Sequence, residues 1–212
     1  MSFSTDTKWP QGLLDIFENH RNQKYKPLES FYFGPYIKLL NYAIVEDSFT
    51  FFITPQTTYD ESYPFNNIHS SFATFLVVMN QEHKPVLFVE IKAGGWVNSA
   101  SCRLNADAQM RRRYNEILYE CPIPRLYGLS LLGTSLRVYC TDKATSKITP
   151  PFVHDPGKIA PPFEHRPGVD ILPSNYLQGQ WDLDILSPDG LMKMQEIIGY
   201  IKAEVEAASS GV

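Results

Sequence analysis

The order of hydrophobic and polar positions along the chain predicts four helices, because apolar residues recur every three or four positions in four segments. These helices are predicted at residues 12–20, 29–45, 99–119 and 187–207. The last begins at a Ser-Pro-Asp-Gly sequence, in which Ser187 is the expected N-cap and Pro188 the first helical residue.

Runs rich in β-branched and aromatic residues, bounded by turn-forming sequences, predict five strands. They are expected at residues 49–55, 71–79, 86–92, 126–132 and 135–140. The second and third are nearly apolar on both faces, which is typical of a sheet covered by helices on both sides. The element order therefore predicts an α/β fold, a three-layer α/β sandwich with a central mixed sheet.

A proline-rich segment precedes the last helix. Residues 150–173 contain seven prolines, a density that is incompatible with an interior helix or a central strand, because proline lacks an amide donor and has a fixed φ. We therefore expect an extended arm there. The 212 residues fit a single domain, 1–212. Its parts are an N-terminal extension (1–28), a core (29–149), a proline-rich arm (150–186) and a C-terminal helix (187–207).

Composition and charge exclude several classes of protein. Lys and Arg number 19 against 23 Asp and Glu, which argues against a generally basic nucleic-acid-binding surface but not against a local cationic cleft. The longest apolar run is much shorter than a membrane span, and the N-terminal sequence has no apolar signal region. Three cysteines without a Cys-x-x-Cys pair indicate reduced thiols. We therefore expect an intracellular protein, in the cytoplasm or the nucleus, that is not secreted and not membrane-bound.

The candidate chemistry lies at the end of the third predicted strand. Glu90 and Lys92 share one strand face with Val86 and Phe88, because side chains alternate along a strand. Two charges on an apolar strand are costly to desolvate unless they are paired or bound. One interpretation is a Glu–Lys pair that emerges into solvent. The other is a site for phosphodiester hydrolysis, in which the carboxylate holds Mg²⁺ and the lysine positions the attacking water.

These residues, in this order of elements, resemble the PD-(D/E)XK nuclease superfamily. The helix that follows carries Ala106-Asp-Ala-Gln109-Met, similar to the segment where several branches have an active-site glutamine. The chain also resembles a group of uncharacterised fungal proteins with this core, over roughly residues 29–205. The shared motifs are Thr54-Pro-Gln, Glu90-Ile-Lys, the Ala106–Met110 helix, Leu126-Tyr-Gly and Trp181-Asp-Leu-Asp.

The resemblance implies a restriction-endonuclease-like core, with catalytic roles for Glu90, Lys92 and Gln109 and with metal contacts at Glu90, Ile91 and Ser71. Ser71 stands where the superfamily has its metal-binding aspartate, with Thr74 as the other alignment. A neutral hydroxyl is a poor Mg²⁺ ligand. Carboxylates from other segments are candidate substitutes for that aspartate, namely Asp60, Glu61, Glu29 and Glu46.

Arginines on the helix after the candidate strand admit two interpretations. Arg103, Arg112 and Arg113 are candidates for contacts with nucleic-acid phosphates, because a guanidinium fork matches phosphate geometry. The alternative is a solvated helix face, on which the arginines are balanced by carboxylates such as Asp107 and Glu116.

Two hypotheses for function follow. In the first, the chain is a nuclease-like protein with a degenerate metal site, inactive or weakly active, that binds DNA or a protein. In the second, it is an active Mg²⁺-dependent nuclease that uses Glu90, Lys92 and Gln109. Mg²⁺ is the expected cofactor only in the second.

Overall fold

One sheet and four helices make up the computed structural model, which describes residues 3–21, 29–45, 49–59, 72–153 and 172–210. The helices are α1 (Gln11–Arg21), α2 (Ser30–Leu40), α3 (Ala100–Ile117) and α4 (Pro188–Ser209). A π-helical turn at Asn41–Val45 extends α2, and a 3-10 turn at Leu118–Glu120 extends α3. None of the described helices is both long and apolar enough to cross a membrane.

The sheet has the strand order β1-β2-β3-β4-β5-β6, and β7 pairs with the first two residues of β5. The strands are β1 (Phe51–Tyr59), β2 (Phe72–Asn80), β3 (Pro85–Lys92), β4 (Arg125–Leu132), β5 (Ser135–Asp142), β6 (Ile148–Thr149) and β7 (Leu183–Asp184). Strands β3 and β4 are parallel and the other pairs are antiparallel. The predicted mixed sheet is thus confirmed, as an open and mostly antiparallel one.

Helices cover both faces of this sheet. Helix α3 packs on the face that carries Phe88 and Glu90. It approaches closely at Gly128, where an added Cβ would lie 2.5 Å from the Phe88 ring and 2.7 Å from Met110 of α3. Helix α4 packs on the opposite face, where the Tyr200 ring meets that of Tyr127 at 5.6 Å. Burial on both faces explains why β3 is apolar throughout except for its two charged residues.

Two segments outside the predicted core, the N-terminal extension and the proline-rich arm, contact the core in the structure. In the N-terminal segment, Trp9 donates a hydrogen bond from Nε1 to the Ile185 carbonyl at 2.9 Å, and Phe17 is buried. Strand β7 lies within the segment predicted as the proline-rich arm, and it pairs with Ser135 and Leu136 of β5. The boundary at residue 150 therefore does not separate the sheet from the arm, because β7 returns to the sheet edge. Most of residues 150–173 lie outside the described residues.

Candidate functional site

The candidate site lies beneath α3, on the face of the sheet that α3 covers. The strand register places Phe75, Glu90, Ser130 and Arg137 side by side on β2, β3, β4 and β5. Because registered neighbours point to the same face, this row crosses the middle of the sheet. Two charged residues in it, Glu90 and Arg137, are 0% and 5% exposed.

Glu90 is engaged by two cations of the chain. Its Oε1 lies 3.2 Å from Lys92 Nζ, and its Oε2 accepts a hydrogen bond from Arg113 Nε at 3.2 Å. Arg113 also donates to Glu116 Oε2 at 3.0 Å and stacks over the Phe75 ring at 4.2 Å. The interpretation of a Glu–Lys pair that emerges into solvent is therefore wrong for Glu90, which is fully buried within an ion-pair network.

Lys92 connects this network to the protein surface. Its Nζ lies 3.3 Å from Glu29 Oε2, at the start of α2, and 5.4 Å from the centre of the Trp96 ring. Burial lowers the pKa of Lys92, but the charges and hydrogen bonds of Glu90 and Glu29 outweigh burial and raise the pKa above its ordinary value. The ammonium therefore stays charged at neutral pH. Glu29 is 30% exposed, so the network reaches solvent there.

The other residues predicted for catalysis and metal binding have different positions. Gln109 is buried on α3 one turn before Arg113, on the helix face that covers Glu90. Ile91 is the next-to-last residue of β3, with its side chain buried on the opposite face. Ser71 lies outside the described residues, as do Asp60, Glu61 and Glu46, and the side chain of Thr74 is not described either.

Two of the three arginines predicted to contact nucleic acid have internal partners. Arg103 donates to three backbone carbonyls, those of Val97 at 2.7 Å, Ser174 at 2.7 Å and Tyr176 at 2.8 Å. Arg113 is held by Glu90 and Glu116, and Arg103 and Arg113 are each 2% exposed. Their geometry is that of structural cross-links, because phosphate contacts would require these bonds to break. Arg112 is the half-buried member of the set.

The described residues do not fit the Mg²⁺ site that the resemblance implies. Mg²⁺ requires oxygen ligands whose lone pairs face the cation, whereas each carboxylate oxygen of Glu90 faces a cationic group of the protein. Glu29, a candidate for the second carboxylate, also contacts Lys92. In the part of the chain that the structure describes, no three acidic, histidine or cysteine side chains form a metal-binding group.

A second buried ion-pair cluster was not predicted from the sequence. Asp107 of α3 accepts hydrogen bonds from Arg111 Nε at 2.7 Å, from Arg137 Nη1 at 3.1 Å and from Tyr139 Oη at 2.8 Å. The interpretation that places Asp107 on a solvated helix face is wrong, because this residue is 1% exposed. The available signal was Arg137, a charged residue that lies between the apolar Leu136 and Val138 on β5.

Comparisons with known proteins identify no relative of this chain. No protein-family model, no curated protein and no solved structure matches this chain. The functional argument therefore depends on the residues of the chain itself, above all on the contacts of Glu90 and Lys92.

Proposed function

We propose that this chain is a PD-(D/E)XK nuclease-like protein with an internal ion-pair centre in place of a metal site. In this proposal it acts as a binding module for nucleic acid or protein and does not cleave phosphodiesters. The observation that carries the proposal is the contact of both Glu90 oxygens with cationic groups, Lys92 Nζ and Arg113 Nε, at 3.2 Å each.

The energetics of burial support an inactive centre. A divalent cation would have to displace Lys92 or Arg113 from Glu90, and the displaced side chain would keep only its more exposed partner, Glu29 or Glu116. Breaking a buried ion pair costs about 3–5 kcal/mol, which opposes metal binding. Three features support the superfamily assignment itself. These are the order of elements, the Glu90-Ile-Lys92 strand and the parallel pairing of β3 with β4, two strands that α3 connects.

Calorimetric titration with Mg²⁺ and Mn²⁺, followed by incubation with labelled single- and double-stranded DNA, tests this proposal. We expect no heat of metal binding and no cleavage. In a DNA-binding module, DNA retention should fall in Arg112→Gln, because Arg112 is the least buried of the three candidates. Glu116→Gln is a matched control for metal binding, because Glu116 also contacts Arg113 but is 38% exposed.

The alternative is an active Mg²⁺-dependent nuclease, and one observation favours it. Glu29, a candidate substitute for the missing aspartate, reaches the same ammonium group as Glu90. Two carboxylates therefore lie around Lys92, with Gln109 on the helix above. Mg²⁺-dependent cleavage that is lost in both Glu29→Gln and Glu90→Gln but kept in Glu116→Gln would replace our proposal with this alternative.

A further inference from the structure

The cluster around Asp107 has an unbalanced charge. One carboxylate, Asp107, faces two guanidinium groups, Arg111 and Arg137, and all three side chains are at least four-fifths buried. Arg111 uses both Nε and Nη2 on Asp107 and also donates from Nη2 to the Pro150 carbonyl. Arg137 has only its Nη1 on Asp107. The cluster therefore carries an excess of one positive charge, associated with Arg137.

Two donor atoms of Arg137 have no hydrogen-bond partner among the described residues. These atoms are Nε and Nη2, and both are buried. Their N–H groups lie on the same edge of the guanidinium and point in parallel, which is the arrangement that binds a carboxylate or phosphate through two oxygens. Buried donors without a partner are rare in native proteins and call for an explanation such as a bound ion.

We propose that this edge of Arg137 is a binding site for a small oxyanion, in which Nε–H and Nη2–H donate to two oxygens of one phosphate or carboxylate group. The bound anion would satisfy both donors and balance the excess positive charge. Since Arg137 is 5% exposed, the site suits a small free oxyanion and not the backbone of a polynucleotide.

The surroundings of Arg137 hold its guanidinium in a fixed orientation. The guanidinium carbon lies 4.9 Å from the centre of the Tyr139 ring and 5.2 Å from that of the Trp181 ring. Trp181 is fixed in turn, because its Nε1 donates to Ser130 Oγ at 3.1 Å. With Asp107 on Nη1 and aromatic rings against the group, the Nε/Nη2 edge is the one left for a ligand. A fork held in place by its protein partners loses little conformational freedom on binding an anion.

This site is distinct from the Glu90 centre. Arg137 and Glu90 stand in the same row of the sheet but are separated by Ser130 on β4, about 10 Å apart at two strand spacings. The proposal needs neither DNA nor a divalent cation, so its test and the test of the proposed function have independent outcomes.

Thermal unfolding and calorimetry with sodium phosphate and with sodium acetate test the site, against sodium chloride at matched ionic strength. A ligand that binds only the folded state raises Tm, by about 5 °C or more at a concentration of about one hundred times Kd. We expect this rise with at least one of the two anions. The phosphate and acetate arms then distinguish a phosphate ligand from a carboxylate ligand.

Three variants assign the effect to Arg137. Arg137→Gln should abolish the rise in Tm. Arg137→Lys keeps the charge but lacks the fork, so it should weaken binding by about tenfold, and it serves if Arg137→Gln does not fold. Arg125→Gln is the matched control, because it removes an exposed arginine from the opposite face, where the guanidinium stacks near Tyr200. The proposal fails if wild type gains no more from either anion than from chloride, or if Arg137→Lys responds as wild type does.

Discussion

The buried carboxylates Glu90 and Asp107 show how single residues determine the interior beneath α3. Each accepts contacts from two cationic side chains, Lys92 and Arg113 for Glu90 and Arg111 and Arg137 for Asp107. A buried charge is tolerated only when its partners replace the water that it loses. Removal of one cation therefore leaves the carboxylate without full compensation, which makes these pairs sensitive to substitution.

Arg113→Met should destabilise the protein by about 3 kcal/mol, because it leaves the Glu90 charge buried with a single cation. Adding Glu90→Gln to this variant removes that charge, so the double variant should lose less stability than the two single variants combined. Urea unfolding of the four proteins gives the coupling free energy.

Lys193→Met is the matched control, since it removes the cation of an exposed pair, Lys193 with Glu196 at 2.6 Å. Its free energy of unfolding should stay within about 0.5 kcal/mol of wild type. Additive effects of Arg113→Met and Glu90→Gln would contradict a coupled buried pair.

Of the contacts in this interior, the sequence predicted those that depend on local structure and missed those that depend on long-range packing. The shared face of Glu90 and Lys92 follows from the alternation of side chains along a strand, which is local information. The Arg113 contact depends on how α3 lies on the sheet, which the sequence of the helix alone does not determine. The burial of Asp107 depends likewise on Arg137 and Tyr139, which are about 30 residues away in sequence.

At the scale of elements, α4 combines a start that the sequence predicts with a contact that it does not. Ser187 caps the helix as predicted, with its Oγ accepting from the Gly190 amide at 3.0 Å. Gly190 also allows the first turn to pack directly on the preceding backbone, where an added Cβ would lie 2.3 Å from the Asp184 carbonyl oxygen. Capping is local and thus predictable, whereas this close approach depends on β7.

Gly190→Ala should destabilise the protein by about 2 kcal/mol or more, although alanine favours a helix by about 1 kcal/mol over glycine. The added methyl group meets the carbonyl oxygens of Asp184 and Ile185, which are backbone atoms that cannot rotate away. Thermal and urea unfolding measure the loss.

Gly199→Ala is the matched control on the same helix, where an added Cβ has no atom within 4 Å. It should stabilise the protein by about 0.5–1 kcal/mol. The close-packing argument fails if both substitutions have the same sign.

The differences between predicted and observed strands have physical causes. The first strand was predicted to end at Pro55 but continues to Tyr59, because β1 is an edge strand, where a missing amide donor is tolerated. Strands β6 and β7 have two residues each and no periodicity to detect. The long strands and helices, whose patterns repeat several times, were predicted to within a few residues.

Across the whole molecule, several ionisable groups have pKa values that are shifted in the same direction, above their ordinary values. Burial raises the pKa of Tyr114 and Tyr139 well above the ordinary value and that of Tyr200 to about 12. For Lys92, burial lowers the pKa but the two glutamates more than offset it. In each case the native state holds its proton more tightly than the unfolded state does. Deprotonation of these groups at alkaline pH therefore destabilises both the aromatic core and the ion-pair centre.

Stability should therefore fall as the pH rises above about 10. The sign follows from proton linkage: where the native state binds more protons, the free energy of unfolding decreases with pH. The fall begins near the ordinary pKa values of 10.0 for tyrosine and 10.5 for lysine and continues through about 12, the pKa of Tyr200. Urea unfolding at pH 8, 10 and 11 measures this fall in stability.

Tyr200→Phe tests the contribution of one of these groups. It keeps a ring against Tyr127 but removes one titrating hydroxyl, so its curve of stability against pH should be shallower over this interval. A wild-type curve that is flat to pH 11, or an unchanged slope in Tyr200→Phe, would show that these groups titrate alike in the native and unfolded states.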